Sequence, residues 1–110
     1  MSELRRVVVT GLGLVTPVGL DVEETWDALI EGRSGGAPIT QFDASDQSVR
    51  FACEVKGFDP EQYMDRKEVR RTDPFLRLAM GAAHQAAEQA DIESAVDSVS
   101  PERFGVIVGS

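Results

Sequence analysis

The sequence predicts an α/β fold, and three stretches carry that expectation. RRVVVTGLG, from Arg5 to Gly13, sets three consecutive valines before a glycine turn. FGVIVGS, from Phe104 to Ser110, is a second short apolar run bounded by glycine. Between them, Pro74 to about Ala90 carries apolar residues at helical spacing. Short apolar runs rich in Val and Ile read as buried strands, and a long amphipathic helix between two of them is an α/β pattern.

Taken in order, Arg6 to Thr10 is the first strand, and Gly11 ends it. Asp21 is placed to cap a helix whose first turn holds Glu23 and Glu24, where negative charge meets the helix dipole favourably. Val22, Trp26, Leu29 and Ile30 recur at helical spacing as its apolar face, and Gly32 fits the C-terminal cap. Gly32 to Asp46, rich in Gly, Ser, Asp and Pro, reads as an irregular connection anchored by Ile39 and Phe42. Phe51 to Val55 suits a short strand, and Asp59-Pro60 a turn or helix start.

The strongest helix starts at Asp73-Pro74, a cap followed by a proline in the first turn. Phe75, Ala79, Ala82, Ala83, Ala86 and Ala90 lie along one side, with Leu76, Met80 and Ala87 beside them. So small a face lets another backbone approach closely, so the helix is expected in a crowded interior. FGVIVGS then ends the sequence on a core-strand pattern. Termini usually lie at the surface, so the chain is expected to be the first part of something longer.

The 110 residues suffice for one small domain, and the apolar and charged fractions are those of a soluble globular chain. No apolar run approaches the length of a membrane span, and the N-terminus has no secretory h-region. Cys53 is the only cysteine, so no internal disulfide forms, and the expected compartment is the cytoplasm. The net charge of −8 argues against nucleic acid as a partner. That charge is uneven: residues 1–60 carry −5, residues 78–110 carry −4, and residues 61–77 carry +1.

The turn at Gly11 and Gly13 invites a dinucleotide reading, which needs a third glycine where Thr16 stands and a helix opening directly from the turn. Here Pro17 and Gly19 follow, and the helix signal waits until about Asp21. A structural turn that needs backbone room fits better. No metal-ligand spacing is present, since one Cys and one His cannot close a zinc site.

DRKEVRR, from Asp65 to Arg71, is the positive stretch. Arg66, Lys67, Arg70 and Arg71 against Glu68 give +3 over six residues. If helical, Arg66 and Arg70 share one face, and Lys67 and Arg71 the adjoining one. From the residues alone, the favoured reading is a solvated face with local pairs to Asp65, Glu68 and Asp73.

Four ordered blocks change that balance. RRVVVTGLGLVTPVG, ETWDALIEGRSG, DRKEVRRTDPF and FGVIVGS resemble the N-terminal quarter or so of β-ketoacyl-acyl carrier protein synthases, of the type II kind in bacterial fatty-acid synthesis. The resemblance covers the whole chain. It implies a thiolase-like fold: two related halves, each a mixed five-stranded sheet layered with helices. This chain would hold part of the first half, as the N-terminal portion of the synthase N-terminal domain, with no complete second domain. The two strands would not be neighbours in the sheet. Alone, the piece is expected to leave strand edges unpaired and the Ala face uncovered, and to fold marginally or aggregate.

The implied chemistry is a decarboxylating Claisen condensation. A cysteine takes an acyl group from a carrier-protein thioester, and two histidines assist loss of carbon dioxide from malonyl-carrier protein. The family nucleophile lies in a T-A-C-S-like motif that this sequence lacks, so no catalytic residue is expected here. Cys53 in FACEV reads as an incidental thiol and His84 as an ordinary helical side chain. No cofactor is implied beyond the phosphopantetheine arm that carries substrates on acyl carrier protein.

The resemblance also implies that Lys67, Arg70 and Arg71 match positions of a basic patch that receives the acidic carrier protein, with Arg66 in the same run. A homodimer is implied for the full-length enzyme. Two other readings stay open: a non-catalytic chain-length partner subunit of a polyketide system, and an independent small α/β binding module.

Overall fold

The computed structural model describes residues 3–110. Helix α1 spans Val22–Ile30. Asp21 caps it by accepting a hydrogen bond from the Glu24 N–H at 2.8 Å, and the Glu24 carboxylate reaches back to the Leu20 N–H at 2.9 Å. The first bond satisfies an amide that helix geometry leaves open, and the second ties the helix to the residue before its cap, in the manner of a capping box shifted by one residue. At the other end Gly32 takes φ +68°. Its N–H donates to the Leu29 carbonyl and the Arg33 N–H to the Ala28 carbonyl, so the helix closes in a Schellman motif.

The connection from Gly32 to Asp46 is not wholly irregular. Strand β1, Ala37–Pro38, pairs antiparallel with β2, Phe51–Ala52, in the register Ala37 to Ala52 and Pro38 to Phe51. The expected strand at Phe51 is therefore real but shorter than Phe51 to Val55. Ile39 continues the pairing with an N–H donated to the Arg50 carbonyl at 3.0 Å. Glu54 then staples the two arms, accepting from the Thr40 hydroxyl at 2.7 Å and from the Thr40 and Gln41 amides. Ile39 is half-buried, whereas Phe42, expected as a second anchor, is exposed.

A 3-10 helix, Pro60–Gln62, begins at the predicted Asp59-Pro60 start, with Asp59 accepting from the Glu61 N–H. Helix α2, Arg66–Arg71, follows. Helix α3, Pro74–Gln89, is the longest element and matches its expected span; Pro74 occupies the first turn, but Asp73 makes no side-chain cap bond. A short helix α4, Ile92–Ala95, and two 3-10 turns lead to the end of the sequence.

Two expectations are corrected. Residues 6–10 and 104–110 join no sheet, and both are exposed rather than buried: Val7 is 88% and Ile107 99% accessible. A lone segment has no lateral partner for its backbone and nothing to cover its side chains. The second correction concerns α1. Trp26, Leu29 and Ile30 are exposed, and the buried positions are Thr25 and Ala28. The face turned inward is the small one, because what α1 packs on is the tight turn at Gly19, whose own Cβ would collide with Thr25. Among the described residues, Ala28 and Ala44 are the only buried apolar side chains.

Candidate functional site

The glycine turn lies across the small face of α3. A Cβ on Gly11 would overlap the Ala86 carbonyl, and one on Gly13 the Ala82 carbonyl. Glycine is required at both positions by this contact. The expected uncovered Ala face is thus partly covered, by the chain's own first turn. Two of the turn's amides are also occupied. Leu12 donates to Gln89 Oε1 at 2.7 Å and Leu14 to Gln85 Oε1 at 3.1 Å. Gln85 and Gln89 are four residues apart, so one helix face presents both acceptors.

Thr16, which stands at the third-glycine position, bonds the buried Thr25 hydroxyl at 3.0 Å and the Gly19 carbonyl at 3.2 Å. It ties the turn to α1. The stretch is therefore a structural clasp, with the amides of Leu12, Leu14, Thr16, Val18 and Gly19 bonded within the fold.

Gln85 links this clasp to the positive stretch. Its Nε2 donates to the Leu20 carbonyl at 2.8 Å and to the Tyr63 hydroxyl at 3.3 Å. Tyr63 stacks on Phe58 with ring centroids 5.9 Å apart and meets His84 edge-on at 5.3 Å. Gly81, buried on α3, leaves room for these rings: a Cβ there would sit 2.9 Å from Phe58 and 3.3 Å from Tyr63.

From Tyr63 the chain passes into α2. Asp65 caps it, accepting from the Lys67 N–H at 2.8 Å and the Glu68 N–H at 2.9 Å. Glu68 lies in the first turn, and Arg70 and Arg71 in the last, so side-chain charge complements the helix dipole at both ends. The sequence leaves the helical state of this stretch conditional, and the structure makes it a helix. Arg66, Lys67, Arg70 and Arg71 are all exposed. Arg66 pairs with Glu61, Nε to Oε1 at 3.7 Å. Among the described residues, Lys67, Arg70 and Arg71 have no carboxylate within ion-pair distance. The expected local pairs to Asp65, Glu68 and Asp73 do not form, and the pair that does form involves a carboxylate outside the stretch.

Cys53 is exposed beside β2, at a cleft it shares with Gln41, Glu54, Phe58 and Arg77. His84 is exposed on α3, its ring against Tyr63. Neither is joined to the other by a hydrogen bond. Sequence reasoning missed Gln85, Gln89 and Tyr63. The available signal was a pair of amide side chains, one turn apart, within an Ala-rich helix that had to receive a glycine turn.

The sequence matches the family profile described as Beta-ketoacyl synthase, N-terminal domain, over residues 4–110. It is 46% identical over 98% of its length to "3-oxoacyl-[acyl-carrier-protein] synthase 2" of Synechocystis sp. and, at the same identity and coverage, to the protein of that name in Coxiella burnetii. The protein of that name in Vibrio cholerae is 47% identical over 96%. The chain spans about a quarter of the length of these relatives, 26%, 26% and 25%. A solved structure, "The ishigamide ketosynthase/chain length factor", superimposes with a TM-score of 0.72 at 33% identity, over 92% of this chain and 23% of that one. The likeness supports the thiolase-like α/β assignment.

Proposed function

The chain belongs to the β-ketoacyl synthase N-terminal domain family, and from that premise we propose that it forms the N-terminal part of a 3-oxoacyl-acyl carrier protein synthase of fatty-acid biosynthesis. The observation that carries this reading is identity of 46–47% to synthases of that name along nearly the whole chain. Such an enzyme joins an acyl thioester to malonyl-carrier protein with loss of carbon dioxide. The carbanion equivalent attacks the acyl thioester, and the product is a 3-oxoacyl thioester two carbons longer. It acts in the cytoplasm, as a homodimer, on substrates borne by the carrier's phosphopantetheine arm and without a metal. Residues 1–110 contribute neither nucleophile nor catalytic base; Cys53 and His84 stay outside the chemistry.

Their contribution is a landing surface. The cations Lys67, Arg70 and Arg71 project from α2 without acidic partners among the described residues, in a chain of net charge −8. An acidic carrier protein is attracted to that helix and repelled by the surface around it. Each exposed pair contributes only about 0.2–1 kcal/mol. Their joint effect is to steer and orient the encounter, over a range of about 8 Å at physiological ionic strength. Arg66, already paired with Glu61, is the weakest contributor.

The test replaces Lys67, Arg70 and Arg71 together by Glu in a synthase of the relatives' full length that begins with this chain. KM for a carrier-linked substrate should rise about tenfold or more, while a small acyl thioester is turned over nearly as before. Equal losses on both substrates would assign the three residues to folding instead. A second reading, a chain-length partner subunit of a polyketide system, draws support from the ketosynthase/chain length factor likeness. Acyl transfer from an acyl-carrier thioester onto a cysteine of the full-length protein that persists in Cys53→Ser would exclude it.

A further inference from the structure

Helix α2 carries the exposed cations and fully buries none of its own residues; Val69 alone is half-buried. Packing along its length therefore contributes little to where those cations point. Contacts at its two ends contribute more. Two residues before its cap, Tyr63 is clamped on α3: its hydroxyl accepts from Gln85 Nε2, and its ring lies between Phe58 and His84 over Gly81. At the far end, Thr72 closes α2, and its carbonyl accepts from Arg77 Nη2 of α3 at 2.6 Å. The Thr72 hydroxyl turns back onto the Glu68 and Val69 carbonyls, so the bond from Arg77 lands on a closed helix end rather than on a loose loop. Arg77 Nε is enclosed and without a hydrogen-bond partner among the described residues, so the bond from Nη2 to the Thr72 carbonyl is what ties this guanidinium to the end of α2.

We infer that Tyr63 and Arg77 are positioning residues, which fix the orientation of α2 between two tethers on α3 and so set the direction from which the acidic carrier protein is received. The inference rests on the docking reading above and deepens it. A short helix held mainly at its ends turns as a body when one end is released; the exposed Arg66–Glu61 pair and half-buried Val69 give it little other hold. Its charge is then unchanged, but the match between its cations and the carrier's carboxylates is lost. Steering by net charge survives, while the oriented complex does not.

The experiment uses the same full-length synthase and compares carrier-linked with small-thioester kinetics. Tyr63→Ala and Arg77→Met should each raise KM for the carrier-linked substrate about three- to tenfold, with kcat and the small-thioester reaction within about twofold of the parent. Arg77→Lys, which keeps the charge and a donor, should recover most of the loss. Tyr63→Phe keeps the ring contacts and removes only the bond to Gln85. It should raise KM by about twofold to threefold, and it serves as the reading if Tyr63→Ala does not fold. An unchanged carrier KM in Tyr63→Phe and Arg77→Met, or equal losses on both substrates, overturns the inference. Failure of the Lys67, Arg70 and Arg71 replacement to separate the two substrates overturns the docking reading itself. Separation there, with no effect at Tyr63 or Arg77, removes only the positioning role.

Discussion

Gly13 and Gln85 show how single residues set the arrangement. Gly13 lies against the α3 backbone, and Gln85 captures the next amide, that of Leu14. Gly13→Ala would force the turn off the helix, breaking the close approach and both glutamine bonds. A loss of about 1–3 kcal/mol is expected, read by urea unfolding of the full-length synthase. A neutral result would show that the turn is not seated as described. Glu54 offers a second case. The Thr40 hydroxyl holds its carboxyl below the ordinary value of 4.5, burial opposes, and the Thr40 and Gln41 amides and Lys56 add to the lowering. The unfolded form therefore binds the proton more readily. The stabilisation is present above pH 4.5 and is lost as pH falls through the lowered value. In the same synthase, Glu54→Gln should flatten this part of the acid-unfolding profile, and an unchanged profile would assign no role to the Thr40–Glu54 bond. The glycines were legible as a need for backbone room. What filled that room was not, because the partner amides are more than seventy residues away in sequence.

At the scale of elements, caps made the helices legible. Asp21 and Asp73-Pro74 mark starts that the structure reproduces, whereas in the sequence the Asp65 cap of α2 reads only as a local charge partner. Helix α2 depends on its cap most, having six residues and none buried. Removing the cap by Asp65→Ala should cost about 1 kcal/mol locally. Hydrogen exchange in the full-length synthase should detect this as faster exchange at the Lys67 and Glu68 amides, which Asp65 Oδ1 accepts from. Unchanged exchange would contradict the assigned cap. The inward face of α1 was misread for a physical reason. Periodicity reports which side chains seek cover, and Trp26, Leu29 and Ile30 do; it does not report whether these residues contain that cover. The pairing of β1 with β2 was missed because two-residue strands leave no period to read.

At the scale of the whole molecule, the same discrepancy is general. A folded chain of 11.9 kDa is expected to expose about 6,000 Å². This one exposes 9327 Å². Its radius of gyration is 17.8 Å, against about 13 Å for a compact domain of this length. The excess includes Val7, Val8 and Val9 and Val106, Ile107 and Val108, the two apolar runs read as core strands. Fold class was thus legible from those runs, while their burial depends on partners that residues 3–110 do not provide. An independent small module with its own core is hard to reconcile with this surface. The central claim is that these residues complete their core only against further chain of the synthase, and equilibrium urea unfolding of the 110-residue polypeptide by itself tests it most directly. The account predicts a broad, shallow loss of helical signal, with self-association as concentration rises. A sharp, concentration-independent transition from a monomer would contradict it.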